Sequence, residues 1–492
     1  MSLMDAVREG ARDWLRIRDA EPFRAEIRQL LTYEGNAFKN RMWYRGDAYE
    51  LDQFFKAYAG HTRSFWGSVP SRGLEMRKLH SGLPQLVVDT LTNITLADLN
   101  GVAVTQGGEP SGRLQGVWDG VAGGAEAERL FQRATREALI VGDGAFRMTL
   151  DGADVRPRIG FVGGERVGYT TDRGRVSEVV FRTAYRKRDE TYTLWEAYGH
   201  GYVTYRLTRR GKEVPLSELP QTAGLADVRF DDALMMAVPF RVFESERHPG
   251  RGQSVYEGKS DAFDALDECL SQWVDALRAG RTKTYIPESL VPRDPRNGSL
   301  MRPNPFDNRF VTVGDDTHET GANRIDVQQP AIPSDSYVET YTTFLDLCLQ
   351  GRVSPSTLGI DVKKLDNAEA QREKEKATLY TRQSIVGALQ GVIPQVVRCA
   401  VNTCRVLRRQ APVDAGAEVG FGGYANPSFE AQVETLSNPN APMSVEARVE
   451  ELWGDTKDAA WKAEEVARVK EQQGIGRARE PDMGFGGADA GV

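Results

Sequence analysis

Two predicted helices that enclose a proline-rich segment are the feature that most limits how this chain can fold. One helix is predicted over 254–281, and the other begins with Ser334 or Asp335 as its N-cap and runs to about Gln350. Seven of the 23 prolines lie in the segment Thr282–Pro333 between them. Prolines at this density favour rigid turns and edge strands, and the runs RFVTV and RIDV within the segment have β character. The order predicts a small β-rich module carried between two helices that can pair antiparallel.

A much longer helix follows this pair. The loop RVSPSTLGIDVKKLD ends the second helix, and the next predicted helix runs from Asn367 to about Arg409. Pro394 removes one backbone donor within it, so we expect a kink there. Two polar helices are predicted at about 428–472, and the Gly-rich tail from Gly474 is predicted to be disordered.

The first half of the chain mixes helices and strands. Residues 21–58 are predicted to be helical, as are an amphipathic segment within 80–98 and the segment Glu126–Val141. From Phe146 to Phe240, short β-like runs alternate with Asp-Arg-Gly, Gly-His-Gly and Arg-Gly-Lys turns, which predicts an antiparallel meander. The chain as a whole is therefore predicted to be an α+β protein.

The overall charge excludes one class of nucleic-acid-binding protein. With 63 Lys and Arg against 70 Asp and Glu, the 492-residue chain carries a net charge of −7. A protein that coats DNA needs clustered Lys and Arg to neutralise phosphates, whereas a protein that lets DNA slide past does not. The first 30 residues contain no secretory signal, and no apolar run is expected to approach the length of a membrane span.

Motifs that would indicate an enzyme or a metal site are weak. GQSVYEGKS at Gly252–Ser260 is similar to a phosphate-binding loop, but five residues instead of four separate its first two glycines. Val255, Tyr256 and Glu257 also oppose anion binding through their bulk or charge. The five histidines lack metal-ligand spacing, and none of the four cysteines forms a Cys-x-x-Cys pair. We expect no enzymatic activity, no cofactor, no metal, and buried, reduced thiols.

The helix predicted at 254–281 carries an apolar stripe and an acidic stripe on opposite faces. The apolar stripe comprises Phe263, Leu266, Leu270, Trp273 and Leu277, and the acidic one comprises Glu257, Asp261, Asp264, Glu268 and Asp275. A solvated amphipathic helix explains both stripes. Solvated faces usually mix charges, however, because opposite charges one turn apart stabilise a helix and like charges repel. A stripe that carries only negative charge therefore suggests that its electric field has a function.

The order of elements, together with short stretches of sequence, resembles the portal (head-to-tail connector) proteins of long-tailed double-stranded DNA phages. The matching stretches are YEGN at 33–36, WYRGD at 43–47, FW at 65–66, KLHSGLP at 78–84, SPSTLGID at 354–361, NAEAQREKEKATLYTRQ at 367–383 and VEELWGDTKDAAWKAEEVARVKEQQ at 449–473. The resemblance covers about residues 25–473, and the order of the stretches carries its weight.

The resemblance implies a portal fold with named parts along this chain. These would be a wing at 1–252, a two-helix stem at 253–281 and 334–351, a β-rich clip at 282–333, a tunnel loop at 352–366, a kinked spine helix with the return to the wing at 367–427, a helical crown at 428–473 and a disordered tail at 474–492.

The resemblance also implies a function and partners. The chain would be a portal subunit, present in the host cytoplasm during assembly and then at one vertex of the capsid in the virion, where genome packaging and ejection take place. Twelve copies would form a ring that binds the large terminase subunit, the neck adaptor and the major capsid protein. Double-stranded DNA would pass through it without sequence specificity, and no membrane is involved. The family has no catalytic residues, so the resemblance assigns none here.

Within such a ring, the acidic stripe would line the channel and repel DNA phosphates. The apolar stripe would pack between subunits, and Lys363 and Lys364 in the tunnel loop would touch DNA, although two ordinary exposed lysines are the simpler interpretation. Two alternatives for the whole chain are an ATP-hydrolysing packaging motor, based on the imperfect phosphate-binding loop, and another structural capsid protein. The order helix, β-module, helix argues against the second.

Overall fold

The computed structural model describes residues 32–58, 66–68, 78–149, 157–280, 331–360, 368–422, 444–453 and 459–472, together with three strands and a few single positions between 283 and 328. The chain divides into two compact units, Met1–Gly422 and Gly423–Val492. Helices and antiparallel sheets both contribute to the first unit, so the α+β prediction is confirmed.

The helices described in the first unit are α1 (Tyr33–Arg45), α2 (Ala48–Tyr58), α3 (Leu83–Leu96), α4 (Gly112–Ala122), α5 (Ala125–Val141), α6 (Ser260–Ala279), α7 (Ser334–Leu349) and α8 (Ala368–Leu407). Helices α3 and α5 confirm the predictions for 80–98 and 126–141, whereas α4 was not predicted. The described part of the segment 21–58 is helical as predicted, with a break at Gly46, where a left-handed conformation (φ 57°) ends α1. Asp47 then begins α2, because its side chain accepts from the amides of Tyr49 and Glu50.

The strands are β1 (Leu99–Gln106), β2 (Glu109–Pro110), β3 (Asp143–Thr149), β4 (Arg158–Gly163), β5 (Val167–Asp172), β6 (Arg175–Lys187), β7 (Glu190–Gly199), β8 (Tyr202–Arg209), β9 (Lys212–Val214), β10 (Val228–Arg229), β11 (Ala237–Arg241), β12 (Lys283–Pro287), β13 (Phe310–Val313), β14 (Asp326–Gln328) and β15 (Ala415–Phe421). The largest sheet has the order β10-β8-β7-β6-β5, with β9 also paired to β8. Its neighbouring strands are antiparallel, which confirms the predicted meander.

Helix α8 lies at the centre of the first unit and stays continuous through Pro394. It packs on α3, α4, β11 and β15, and its buried side chains include Ile385, Leu389, Ile393 and Val397. By length and composition alone, its segment Glu375–Leu407 could cross a membrane, so the expectation that no apolar run approaches a membrane span is wrong. Half of the apolar window is buried within the protein.

The segment between α6 and α7 contains a three-stranded sheet in the order β13-β12-β14. Strand β12 pairs parallel with β13 and antiparallel with β14. The predicted runs RFVTV and RIDV contribute β13 and β14, so the small β-module is confirmed, while the central strand β12 was not predicted.

The second unit contains α9 (Val445–Trp453) and α10 (Ala459–Gln472), in agreement with the predicted pair of polar helices. Trp453 meets Trp461 edge to face at 5.4 Å between ring centroids, and Lys462 forms an ion pair with Glu450 at 2.9 Å. Lys470 pairs with Glu446 further along. These contacts make α9 and α10 an antiparallel hairpin.

Candidate functional site

Helices α6 and α7 form an antiparallel pair, as the sequence predicted. Near the start of α6, Lys259 donates from Nζ to the carbonyl oxygen of Leu347 at 2.8 Å, close to the end of α7. Near the other end, the ring of Trp273 stacks on Tyr337, with centroids 6.0 Å apart and planes within 3°. The β12–β14 module connects the helices at the end where Trp273 and Tyr337 lie.

Helix α6 starts at Ser260 and not at 254 as predicted, because the preceding segment has tertiary partners of its own. The Ser254 hydroxyl donates to the carbonyl oxygen of Ile140 at 2.6 Å, and Gly258 takes a left-handed conformation with φ 77°. Glu257 therefore lies in a turn before the helix. Its placement in the acidic helical stripe is wrong, although its side chain is partly exposed.

Three of the predicted acidic residues share one accessible face of α6. Asp261 is exposed, and Glu268 and Asp275 are partly exposed. Their seven-residue spacing places them within a narrow angular range, since two helical turns bring a side chain back to nearly the same direction.

Asp264 does not share this accessible face, so the prediction that it lines a channel is wrong. Its residue is 6% exposed, and its carboxylate accepts from the amides of Trp66 at 2.6 Å and Gly67 at 3.0 Å. Burial raises the pKa of Asp264, and the two amide hydrogen bonds act in the opposite direction. A carboxylate held in this way connects α6 to the segment before α3.

A second buried carboxylate extends this connection. Asp267 is 2% exposed, lies 2.8 Å from Nδ1 of His80 and accepts from the Ser81 amide at 2.8 Å. One turn later, the hydroxyl of Ser271 accepts from the amide of Leu79 at 2.8 Å. The first half of α6 is thus fastened to the body of the first unit, while its second half is paired with α7.

The sequence analysis missed an acidic face on α7. Asp335, Glu339 and Asp346 are all exposed, and their spacings of four and seven residues place them on one side of the helix. Together α6 and α7 contain eight acidic residues and a single basic one, Arg278. The spacing rule that found the stripe on α6 would have found this one too.

The apolar stripe of α6 divides between two environments. Phe263 and Leu266 are 2% and 1% exposed within their own chain, and Phe263 packs against the ring of Trp43. The prediction that these two pack between subunits is therefore wrong, because neither has surface left for a neighbour. Leu270 and Trp273 are partly buried, and Leu277 is 49% exposed. Together with Val338 on α7, also 49% exposed, Leu277 leaves apolar surface near the β-module.

The predicted DNA contacts Lys363 and Lys364 lie outside the described residues. The loop before them is fixed to α8 by hydroxyl groups. The Ser354 amide donates to Oγ1 of Thr378 at 2.8 Å, and the Thr381 hydroxyl donates to the carbonyl oxygen of Arg352 at 2.7 Å.

The segment similar to a phosphate-binding loop has a packing role. A Cβ atom on Gly252 would lie 2.1 Å from the carbonyl oxygen of Gly142, so glycine is required there by close backbone approach. Val255 and Tyr256 are buried in the main core, and the Lys259 ammonium is bonded to the end of α7. Among the residues that the structure describes, no cluster of three or more His, Cys, Asp or Glu could hold a metal ion. The four cysteines are buried.

A buried ion pair, also missed by the sequence analysis, anchors the chain just before α6. Arg251 donates to both carboxylate oxygens of Asp143, at 2.9 and 2.8 Å, and its guanidinium lies 3.6 Å from the ring centroid of Tyr33. The Tyr33 hydroxyl and the Gly252 amide donate to the same carboxylate, at 2.8 and 2.7 Å. The partners are 108 positions apart in sequence, so no local pattern indicates the pair.

Comparisons with known proteins give distant structural likenesses. No family model matches the chain, and no curated protein matches it. A solved structure described as the neck of an empty GTA particle computed with C6 symmetry matches with a TM-score of 0.37 and 13% identity, over 75% of this chain and 89% of that one. The virion of a native gene transfer agent (GTA) particle matches with a TM-score of 0.35 and 13% identity, over 88% and 93%. The neck of a native GTA particle computed with C12 symmetry matches with a TM-score of 0.34 and 12% identity, over 79% and 91%.

Proposed function

We propose that this chain is a portal subunit, which assembles into a closed ring and provides a channel for double-stranded DNA. The observation that carries the proposal is the α6–α7 pair, in which the charged side chains on the accessible faces of both helices are acidic except for Arg278. The position of the β-module between the two helices supports it as well. The role requires no catalytic residue and no cofactor.

The charge of the helix pair suits a surface past which DNA must move. With eight acids against one base, like charges one or two turns apart repel, so helix stability does not explain the accessible acids. In a ring, the accessible carboxylates would repel the phosphates of an axial duplex from all sides, which centres it and prevents adhesion to the wall. The buried carboxylates of Asp264 and Asp267 hold α6 in place and do not face the channel. The three accessible carboxylates of α6 are joined by three on α7.

The apolar surface near the β-module supports the assembly step. Identical subunits joined head to tail close into a ring when the rotation between them allows it, and such contacts need complementary surfaces on two sides. Leu277 and Val338 are suited to such a contact, since each is an apolar side chain that is 49% exposed. The resemblance of the sequence to portal proteins implies twelve copies.

The proposed partners follow from the same resemblance. They are the large terminase subunit during packaging, the neck adaptor afterwards, and the major capsid protein around the ring. The β-module is the proposed docking site for the first two, because β13 and β14 are outer strands of its sheet and outer strands accept further strands from a partner.

Ring formation is the first expected result. Purified protein should run far above 54.6 kDa by mass photometry, show a central hole by electron microscopy, and turn over no ATP. Replacing Leu277 and Val338 by aspartate should shift the population toward small species, because the exchange puts charge into an apolar contact. Leu86→Asp is the matched control, since Leu86 is 41% exposed on another helix.

A stable monomer of the unmodified chain would count against the ring. ATP turnover abolished by Lys259→Ala would favour the packaging motor instead.

A second test concerns the β-module. Its parallel strands need a long crossover, so residues 297–308 should be exchanged for a Gly/Ser linker of equal length and not deleted. We expect rings that assemble normally but fail to bind the terminase subunit or the neck adaptor in a pull-down. Rings with the linker that still package DNA and join tails would rule out docking through this segment.

A further inference from the structure

The accessible face of the largest sheet is basic, in contrast to the chain as a whole. Along β7 the buried side chains alternate with accessible ones, so Leu194 and Glu196 face the interior while Trp195 faces outward. Arg182 and Arg206 are the direct partners of Trp195 on β6 and β8, with guanidinium carbons 6.0 and 5.7 Å from its ring. Trp195 therefore contacts one guanidinium group from each neighbouring strand. That of Arg182 also pairs with Glu34 at 3.3 Å and donates to the carbonyl oxygen of Glu165 at 2.9 Å.

Further arginines extend this row toward the hairpin ends of the sheet. Arg186 and Arg210 have side chains that are 60% and 80% exposed and form surface ion pairs with Asp189 at 3.7 Å and Glu190 at 3.4 Å. Arg188 at the β6–β7 turn is exposed as well. We call the set Arg186, Arg188, Arg206 and Arg210 the basic sheet face. Strand spacing places Arg186 and Arg206 on strands about 10 Å apart, and four residues along a strand span about 13 Å. Among the outward positions of β6, β7 and β8, Glu178 is the one acidic residue, and it bonds to Tyr202 at the opposite end. On β9, which pairs with β8, Glu213 is exposed beside Thr208.

Two of these arginines occupy backbone conformations that arginine disfavours. Arg188 has φ 56° and Arg210 has φ 49°, and Gly211 follows with φ 78°. Two successive residues with positive φ define a hairpin turn in which Asn, Asp or Gly is the relaxed choice for the first position. An arginine there costs backbone free energy, so the turn itself does not explain the residue.

We propose that the basic sheet face binds the phosphate backbone of double-stranded DNA. Guanidinium groups bind phosphates in a bidentate manner, and Thr193 on β7 lies between the arginine rows of β6 and β8. Strand β7 is paired on both sides, so an extended peptide finds no free edge there and would gain only side-chain contacts. A DNA duplex carries one charge per about 1.7 Å of its axis and fits an open, flat array of cations better than a sparsely charged peptide does.

The proposal rests on the proposed portal function in one respect, because that function brings the protein into contact with double-stranded DNA. It adds a division of labour between two surfaces. The α6–α7 pair repels DNA that moves through the channel, whereas the basic sheet face holds DNA that is not in the channel.

The test uses the full chain, a short labelled DNA duplex and fluorescence anisotropy across a salt series. Arg188→Asn with Arg210→Asn removes two charges and relaxes both turns, so the fold should be kept. We expect about tenfold weaker binding at low salt, and a plot of log affinity against log salt whose slope is less steep by about 2.

A matched control removes the same charge elsewhere. Arg408→Gln with Arg409→Asn acts at the exposed end of α8, where Arg409 is also left-handed, with φ 55°. This pair should leave the affinity for DNA within about twofold. An equal loss in both double variants would overturn the proposal, as would unmodified protein that binds no DNA at the lowest salt.

The competing ligand is an acidic protein, and poly-glutamate serves as its probe. Poly-glutamate that displaces DNA at equal charge concentration would assign the face to such a partner instead. A monomer that binds DNA through this face would contradict the proposed ring but support DNA binding by the basic sheet face. A ring that binds no duplex would support the proposed ring but contradict DNA binding by this face.

Discussion

Rings in which Asp261, Glu268 and Asp275 are replaced by lysine should assemble normally and retain DNA in their channel. Each subunit then exchanges three accessible carboxylates for three ammonium groups, so a repelling wall becomes an attracting one. Proteins with 6–10 phosphate contacts lose about 10³- to 10⁵-fold in affinity between 50 and 200 mM salt. Retention should accordingly be strong at low salt and largely lost at high salt. The measurement is the fraction of DNA that stays with the rings after washing at each salt concentration.

The matched control for this charge reversal changes three exposed acids elsewhere. Glu109, Glu126 and Glu128 are exposed on or beside α4 and α5, and their replacement by lysine adds the same charge away from the helix pair. These rings should release DNA like the unmodified protein. Triple-lysine rings that also release it, or a ring structure with the acidic face of α6 on its exterior, would contradict the proposed channel lining.

Asp143→Ala should destabilise the first unit by about 3–5 kcal/mol, because it leaves a buried guanidinium without its partner. The side chains of Arg251 and Asp143 are 15% and 2% exposed, so water cannot replace the lost carboxylate. The Gly252 amide loses its acceptor as well, whereas the Tyr33 hydroxyl keeps the carbonyl oxygen of Val141 at 3.0 Å. Urea unfolding at a fixed protein concentration, which keeps the oligomeric state comparable, measures the effect.

Asp189→Ala is the control for this variant. Asp189 pairs with Arg186 at 3.7 Å and is fully exposed, and such surface pairs contribute little. The Asp189→Ala variant should unfold at the same urea midpoint as the unmodified protein. An Asp143→Ala variant with an unchanged midpoint would show that the anchor before α6 is dispensable.

The helices of this protein were largely predictable because their signals are local. An apolar period near 3.6 residues identified α3, α5 and α8 within a few residues, and alternation with turn residues identified the β6–β8 meander. The module between α6 and α7 was predictable from its prolines and two β-like runs. Strand β12 was missed because its few residues carry no strong alternation between flanking turns.

The candidate site was predictable only in part, and Asp264 shows the reason. Periodicity places Asp261, Asp264 and Glu268 in one stripe, yet Asp264 accepts from amides almost 200 positions earlier in the chain. Whether a carboxylate at a stripe's edge is solvated or buried depends on which segment folds against it. The same holds for Phe263, which the core of its own chain covers.

The sequence by itself therefore determined the order of most elements, the acidic stripe on α6 and the β-module between the helices. Only the tertiary structure decided where α6 begins, which carboxylates remain accessible, and how Arg251 and Asp143 anchor the helix. The physical reason is the range of the interactions. Helical periodicity is encoded within a few residues, whereas a buried carboxylate needs donors that the fold brings from distant parts of the chain.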